Sequence, residues 1–257
     1  MKKTYLLILS LTSLISSCSL LGIDTDKNRI YLDPNGVTVK CEKCKVGFKG
    51  VLNNVEYEVV NNELLRKRID EQSDLSKLCL SLVTDLSTEI DEGLFGRNLN
   101  PDIQSWDVSN VRTMKWLFIN SSFNKDISYW DVGNVESMEG MFQNSTFNQD
   151  ISGWNVGNVK QMSWMFSGSA FNKPIGNWNV GRLTNMSWMF QNSSYNQSLA
   201  NWDVRSVSDM TFMFYESVFN QNLTTWCVSN IKSEPQSFST YSPLSPENKP
   251  KWGTCAN

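Results

Sequence analysis

Six tryptophans, Trp106, Trp130, Trp154, Trp178, Trp202 and Trp226, recur at an interval of 24 residues without a slip. The same register returns Val108, Val132, Val156, Val180, Val204 and Val228, then Met114, Met138, Met162, Met186 and Met210. Phe118, Phe142, Phe166, Phe190 and Phe214 follow, and an aromatic–Asn pair runs from Phe123-Asn124 through Tyr195-Asn196 to Phe219-Asn220. A fixed period of roughly 20–50 residues marks units that each bury an apolar side against their neighbours. The predicted fold class is therefore an α/β solenoid of six 24-residue coils, each with a short strand and a short helix, capped at both ends.

Within one coil, Ile103, Trp106 and Val108 suit a short extended segment, because side chains on a strand alternate between faces. Val111, Met114, Leu117 and Phe118 then follow helical spacing, predicting about two turns with one apolar stripe. Ser109 or Asn110 is the expected N-cap. Asn120, Asn144, Gly168 and Asn192 stand at the far end, as residues that tolerate a left-handed helix stop. The Asn after each returning aromatic is expected to pair its amide with loop backbone groups, a structural role.

The repeats are expected over 83–231. Val83 to Leu86 reads as a degenerate unit, set off from the first full one by four extra residues. Ahead of it, 33–82 reads as an N-terminal cap. Val37–Val39 and Val51–Val60 are expected strands, with a tight turn at Asn53-Asn54, and Asn62 is the expected cap of a charged helix over Glu63–Glu71. Residues 232–257 form the expected C-terminal cap, with Trp252 and Cys255 available to fold back over the last unit. A charge of −3 from 23 basic and 26 acidic residues offers no footprint for nucleic acid. The chain has no His, which excludes His-based acid–base catalysis, His-activated nucleophiles and His-containing metal sites.

The first residues carry a different signal. Lys2 and Lys3 precede a nearly continuous apolar stretch, Tyr5 to Ile15, that is too short to span a bilayer but suits a secretory signal. Ile15-Ser16-Ser17-Cys18 resembles a bacterial lipobox, which implies cleavage after 17, lipidation of Cys18 and a linker over 18–32. Plain cleavage by a general signal peptidase is the alternative. An exported chain can keep disulfides. Cys227 and Cys255 flank the tail and are expected to be bridged, a closure worth ~3–4 kcal/mol. Cys79 is expected to pair with either Cys41 or Cys44. The Cys41–Cys44 spacing also matches half a zinc ribbon or a redox motif, but the second half of a ribbon is missing and no βαβ context surrounds the pair.

The string at 127–151, Ile-Ser-Xaa-Trp-Asp-Val, then Asn-Val-Xaa-Xaa-Met-Xaa-Xaa-Met-Phe, then Phe-Asn-Xaa-Asp-Ile, closely resembles the BspA-like leucine-rich-repeat surface proteins of bacteria. The resemblance covers roughly 83–231. It implies a leucine-rich-repeat-like solenoid on the cell surface, lipid-anchored, binding a protein or glycan on another cell or in a matrix. It carries over no catalytic residue, cofactor or metal. Trp116, Gly140, Trp164, Trp188 and Phe212 share one repeat position, opposite the apolar stripe of an ideal helix. An exposed row of these aromatics would serve adhesion, or alternatively a carbohydrate-binding accessory role. A tighter backbone would instead turn them sideways against neighbouring units. Asp126 with Asp131 or Asp150 is the only carboxylate pairing to nominate for an enzyme. Its positions drift to Pro174, Ser198 and Asn222, as turn chemistry does.

Overall fold

The structure, a computed structural model, describes residues 28–89, 93–94 and 100–255. The signal peptide expected at 1–17, the lipidation site Cys18 and most of its linker lie outside the described residues.

The N-terminal region holds two small sheets and one α-helix. Strand β1 (Arg29–Leu32) runs antiparallel to β2 (Val39–Glu42). Strand β3 (Lys49–Leu52) forms a hairpin with β4 (Val55–Val59), which pairs in parallel with β5 (Leu78–Cys79). The hairpin closes at Asn53-Asn54, both with positive φ (50° and 64°), the geometry whose twist matches that of the flanking strands. Helix α1 spans Asn62–Asp70, and its cap is Asn61, whose side chain accepts from the Leu64 N–H at 2.9 Å. The expected cap, Asn62, instead accepts from the N–H groups of Thr84 and Asp85 and so ties the helix to the first degenerate repeat.

The predicted α/β solenoid of strand-plus-helix coils is not what forms: among the described residues the regular elements are chiefly small sheets with one α-helix, and no strand–helix unit recurs along the repeats. The segment Val111–Phe118, expected to be helical, is a run of turns, and so are its counterparts in later repeats. The reason lies in where the N–H groups go. Met114, Trp116, Phe118 and Asn120 donate to the carbonyls of Ser137, Glu139, Met141 and Gln143 in the next unit, at 2.9–3.0 Å. The residues between them bond inside their own unit, Leu117 to Met114, Ile119 to Trp116 and Ser121 to Phe118. Each N–H has one proton to give, so a donor used across units cannot also close a helical i→i−4 bond. Apolar residues at helical spacing fit this turn ribbon as well as they fit a helix.

The pattern repeats from Met138, Met162 and Met186, and single parallel bridges link Asp85, Thr113, Ser137, Gln161, Asn185 and Asp209 in succession. Alternating donation requires left-handed backbone at every fourth residue. Asn120, Asn144, Gly168 and Asn192 adopt it (φ 49–63°), as their residue types suggested, although no helix precedes them. Trp116, Trp164, Trp188 and Phe212 adopt it as well (φ 57–62°). For bulky residues this conformation costs about 1–2 kcal/mol each, offset here by the cross-unit bond and by ring packing.

Side chains reinforce the same register. Each of the six repeat Trp is buried, and its indole Nε1–H donates to a carbonyl of the preceding unit at 2.9–3.2 Å, from Trp106 on Leu75 to Trp226 on Leu199. Phe118, Phe142, Phe166, Phe190 and Phe214 stack in one column at 5.4–5.7 Å. Phe123, Phe147, Phe171, Tyr195 and Phe219 form a second column at 6.2–6.4 Å. The Asn side chains have their expected role: Asn124, Asn148, Asn172 and Asn196 each accept the backbone N–H of the Asn one repeat on, at 2.9–3.0 Å.

Both ends are covered. Val39 of β2 bridges in parallel to Trp106, which joins the N-terminal sheets to the first full repeat. Arg112 donates to Thr84 just as Glu136 donates to Arg112, so the inserted residues between the degenerate unit and the first full one leave the ladder unbroken. At the C-terminal end, Phe212, Phe214 and Glu216 donate to Gln236, Phe238 and Thr240, so the tail supplies the last rung. Trp252 packs edge-on against Phe238 at 5.0 Å, and a disulfide joins Cys227 to Cys255.

Candidate binding surface

The left-handed residue at the centre of each turn ribbon carries the one repeat position that is aromatic and only partly covered. Its N–H is fixed by the cross-unit bond, so the rings of successive repeats are held in line. Trp164 and Trp188 stack at 4.5 Å with 5° between planes, and Trp188 and Phe212 stack at 3.9 Å with 6°. All three are half-buried. Trp116 is covered (9 % exposed), because its ring fills the space that a side chain at position 140 would need. A Cβ on Gly140 would lie 1.7 Å from two of its ring carbons, so only glycine fits there.

Of the four aromatics nominated for the row, Trp164, Trp188 and Phe212 are therefore brought together, stacked against neighbouring units and half-buried, and Trp116 is set apart from them under cover. Sequence reasoning missed two further members. Tyr215 meets Phe212 edge-on at 5.6 Å and Trp188 at 6.5 Å, and Tyr241 meets Tyr215 edge-on at 5.7 Å while 76 % exposed. Position 215 corresponds to Ile119, Gln143, Ser167 and Gln191 in other repeats, so nothing periodic announces it. Tyr241 lies in the tail and reaches the row only because 236–240 pairs with 212–216. The Tyr215 hydroxyl is pushed above the usual phenol range, first by its hydrogen bond to Glu216 and then by burial. It therefore stays a neutral donor.

The chemistry of these rings follows from their packing. The faces of Trp188 are occupied by Trp164 and Phe212, so what the row presents is ring edges, with Tyr hydroxyls beyond them. Repeating charges add Arg112–Glu136–Lys160, with Glu136 reaching Arg112 at 3.7 Å and Lys160 at 2.8 Å, and Lys115–Glu139 at 3.1 Å. These pairs are exposed and contribute little to stability.

The nominated carboxylates have backbone duties. Asp126 accepts from the Ser128 N–H at 2.8 Å, Asp131 from Gly133 at 3.0 Å and Asp150 from Ser152 at 2.9 Å. The Ser152 N–H holds the Asp150 carboxyl below its usual range. These are turn closures of the kind Asx residues make. Among the described residues, no group of three or more His, Cys, Asp or Glu is arranged to hold a metal ion. Cys41, Cys44 and Cys79 stand as thiols. A groove of 620 Å³ lies between the end of α1 and the entry to the repeats, lined by Ile69, Gln72, Leu75, Pro101 and Asp102 among others.

A ladder of like units closed by a sheet-and-helix region at one end and a disulfide-tied tail at the other defines a tandem-repeat protein. The family model described as a Mycoplasma protein of unknown function, DUF285, matches residues 84–194 and again 147–252. The two matches together span more than half of the chain, which belongs to the DUF285 family. No curated protein and no solved structure gives a significant match.

Proposed function

We propose that this chain is a cell-surface lipoprotein that acts as a non-catalytic binding or adhesion module, contacting a protein on another cell or in a matrix. DUF285 is a repeat family of the BspA-like surface type, and that membership supports the reading. A signal peptide at 1–17 and a lipidated Cys18 would hold the chain at the bacterial cell envelope, anchored rather than spanning.

The observation that carries the proposal is the aromatic row Trp164–Trp188–Phe212, extended by Tyr215 and Tyr241. Half-exposed Trp and Tyr held rigid by their neighbours are the residues that dominate protein–protein contacts, since they bury much area at little entropic cost. A protein partner is favoured over a glycan. A sugar ring packs on the face of an aromatic, and here the inner faces are covered by the next ring.

The test is a screen of the 19–257 chain against arrays of matrix proteins and glycans, beside a variant carrying Tyr215→Ala and Tyr241→Ala. The expected result is a protein ligand whose binding falls at least tenfold in the variant with no change in circular dichroism. A ligand found only among glycans, or binding indifferent to both tyrosines, contradicts the proposal. Separately, Cys18→Ser should move the protein out of the membrane fraction, and continued membrane association would remove the anchor.

A further inference from the structure

The N-terminal region holds three thiols that the binding surface does not use. Cys41 lies on β2, Cys79 on β5 and Cys44 in the turn that follows β2. All three pack into one small apolar cluster with Val39, Val59, Ile30 and Phe48, separate from the core of the repeats. Their surroundings differ. Cys44 is buried, and its Sγ lies 3.5 Å from the Arg29 carbonyl and 3.4 Å from the Glu42 carbonyl, so its S–H has backbone acceptors of its own. Cys79 is fully buried, with Sγ 3.5 Å from the Val39 carbonyl on the strand that carries Cys41. Cys41 is the least buried residue of the three, and its side chain contacts both Cys79 and Cys44, with Cys79 the stronger influence on it.

We propose that Cys41 and Cys79 form a thiol–disulfide exchange site, in which Cys41 reacts with an external oxidant of the disulfide class, Cys79 resolves the product, and Cys44 remains a thiol. In the first step the Cys41 sulfur gives its proton to the Cys79 thiolate and attacks one sulfur of the oxidant. The Cys41–oxidant S–S bond forms, the oxidant's own S–S bond breaks, and one thiolate leaves and takes a proton. In the second step the Cys79 thiolate attacks the Cys41 sulfur, the mixed disulfide breaks and a second thiol is released. Two protein thiols are oxidised to one disulfide and one external disulfide is reduced to two thiols. The hydrogen bond from Cys41 holds the Cys79 thiol below its usual value against the opposing effect of burial, and the same contact pushes Cys41 up. The thiolate of the pair therefore sits on Cys79, which takes the Cys41 proton as Cys41 attacks and gives it up to the departing thiolate before the second step.

The product would tie β2 to β5. The β1–β2 sheet and the β3–β4–β5 sheet, which share no ladder hydrogen bonds, would then be covalently joined. An exported chain meets disulfide oxidants, so the biological setting rests on the envelope reading above, whereas the chemistry is tested in vitro and stands without it.

The experiment treats the reduced chain with oxidised glutathione, quenches in acid, alkylates free thiols and maps the cysteines by mass spectrometry. The expected product is a Cys41–Cys79 disulfide with Cys44 alkylated, and a thermal midpoint several degrees higher. Cys79→Ser should stop the sequence at glutathione held on Cys41, whereas Cys44→Ser should leave the Cys41–Cys79 product unchanged. A cross-link that includes Cys44, glutathione trapped on Cys44, or Cys41 and Cys79 both still alkylated would overturn the proposal.

Discussion

The N-terminal region and the repeats satisfy their backbones in opposite ways. In residues 29–79 the partners are regular elements: strands paired in two small sheets, a hairpin turned at Asn53-Asn54, and a helix with its own Asn61 cap. In the repeats a single unit cannot satisfy its own backbone, because every second N–H of the turn ribbon donates to a carbonyl of the next unit. A region of the first kind is held element by element. The second kind is held by neighbours, so damage to one unit withdraws partners from two others.

That contrast is tested most severely by opening a hole in the repeat core. Trp154→Ala removes a buried indole and its hydrogen bond to the Ile127 carbonyl, and should cost ~3–5 kcal/mol. Denaturant unfolding measures it. A loss below about 1 kcal/mol would mean that the stack collapses to fill the gap and that units are not interdependent. Gly140→Ala comes next, with an expected cost of about 1–3 kcal/mol, because the new methyl would meet the Trp116 ring at 1.7 Å. Its signature is a change in Trp fluorescence as Trp116 is displaced toward solvent, and an unchanged spectrum would contradict the packing described.

The smallest effect is expected in the N-terminal region. Arg68 donates two hydrogen bonds to Glu58, at 2.6 and 2.7 Å, which hold the Glu58 carboxyl below its usual value. A depressed folded-state value contributes stability above the unfolded one, ~4.3, which is lost as pH falls through the folded value. Glu58→Gln should therefore lower the midpoint slightly near neutral pH, with the difference from the parent vanishing in acid. A gap that widened on acidification would have the wrong sign.

What can be read from the chain divides along the same line. The indole ladder and the Asn ladder are legible, because a constant repeat interval assigns equivalent positions whatever the local backbone does. The cap's hairpin is legible from Asn53-Asn54. The helix expected at Val111–Phe118 does not form, because apolar spacing reports which side chains are buried and says nothing of where an N–H finds its acceptor. With the acceptor in another repeat, local propensity is overruled. Left-handed backbone at Trp116, Trp164 and Trp188 is hidden for a related reason: tryptophan does not advertise it, whereas Asn120 and Gly168 do. The aromatic row is half legible. Its periodic members stand out, Trp116 proves to be covered by way of Gly140, and Tyr215 and Tyr241 join only through the tail's last rung.

The central claim is that alternate backbone donors cross between repeats in place of a helix. Scalar coupling through hydrogen bonds, measured by NMR on labelled protein, tests it directly. A coupling from the Trp164 nitrogen to the Ser187 carbonyl carbon is expected. A coupling from Trp164 to the carbonyl of Lys160 would restore the helix and contradict the account.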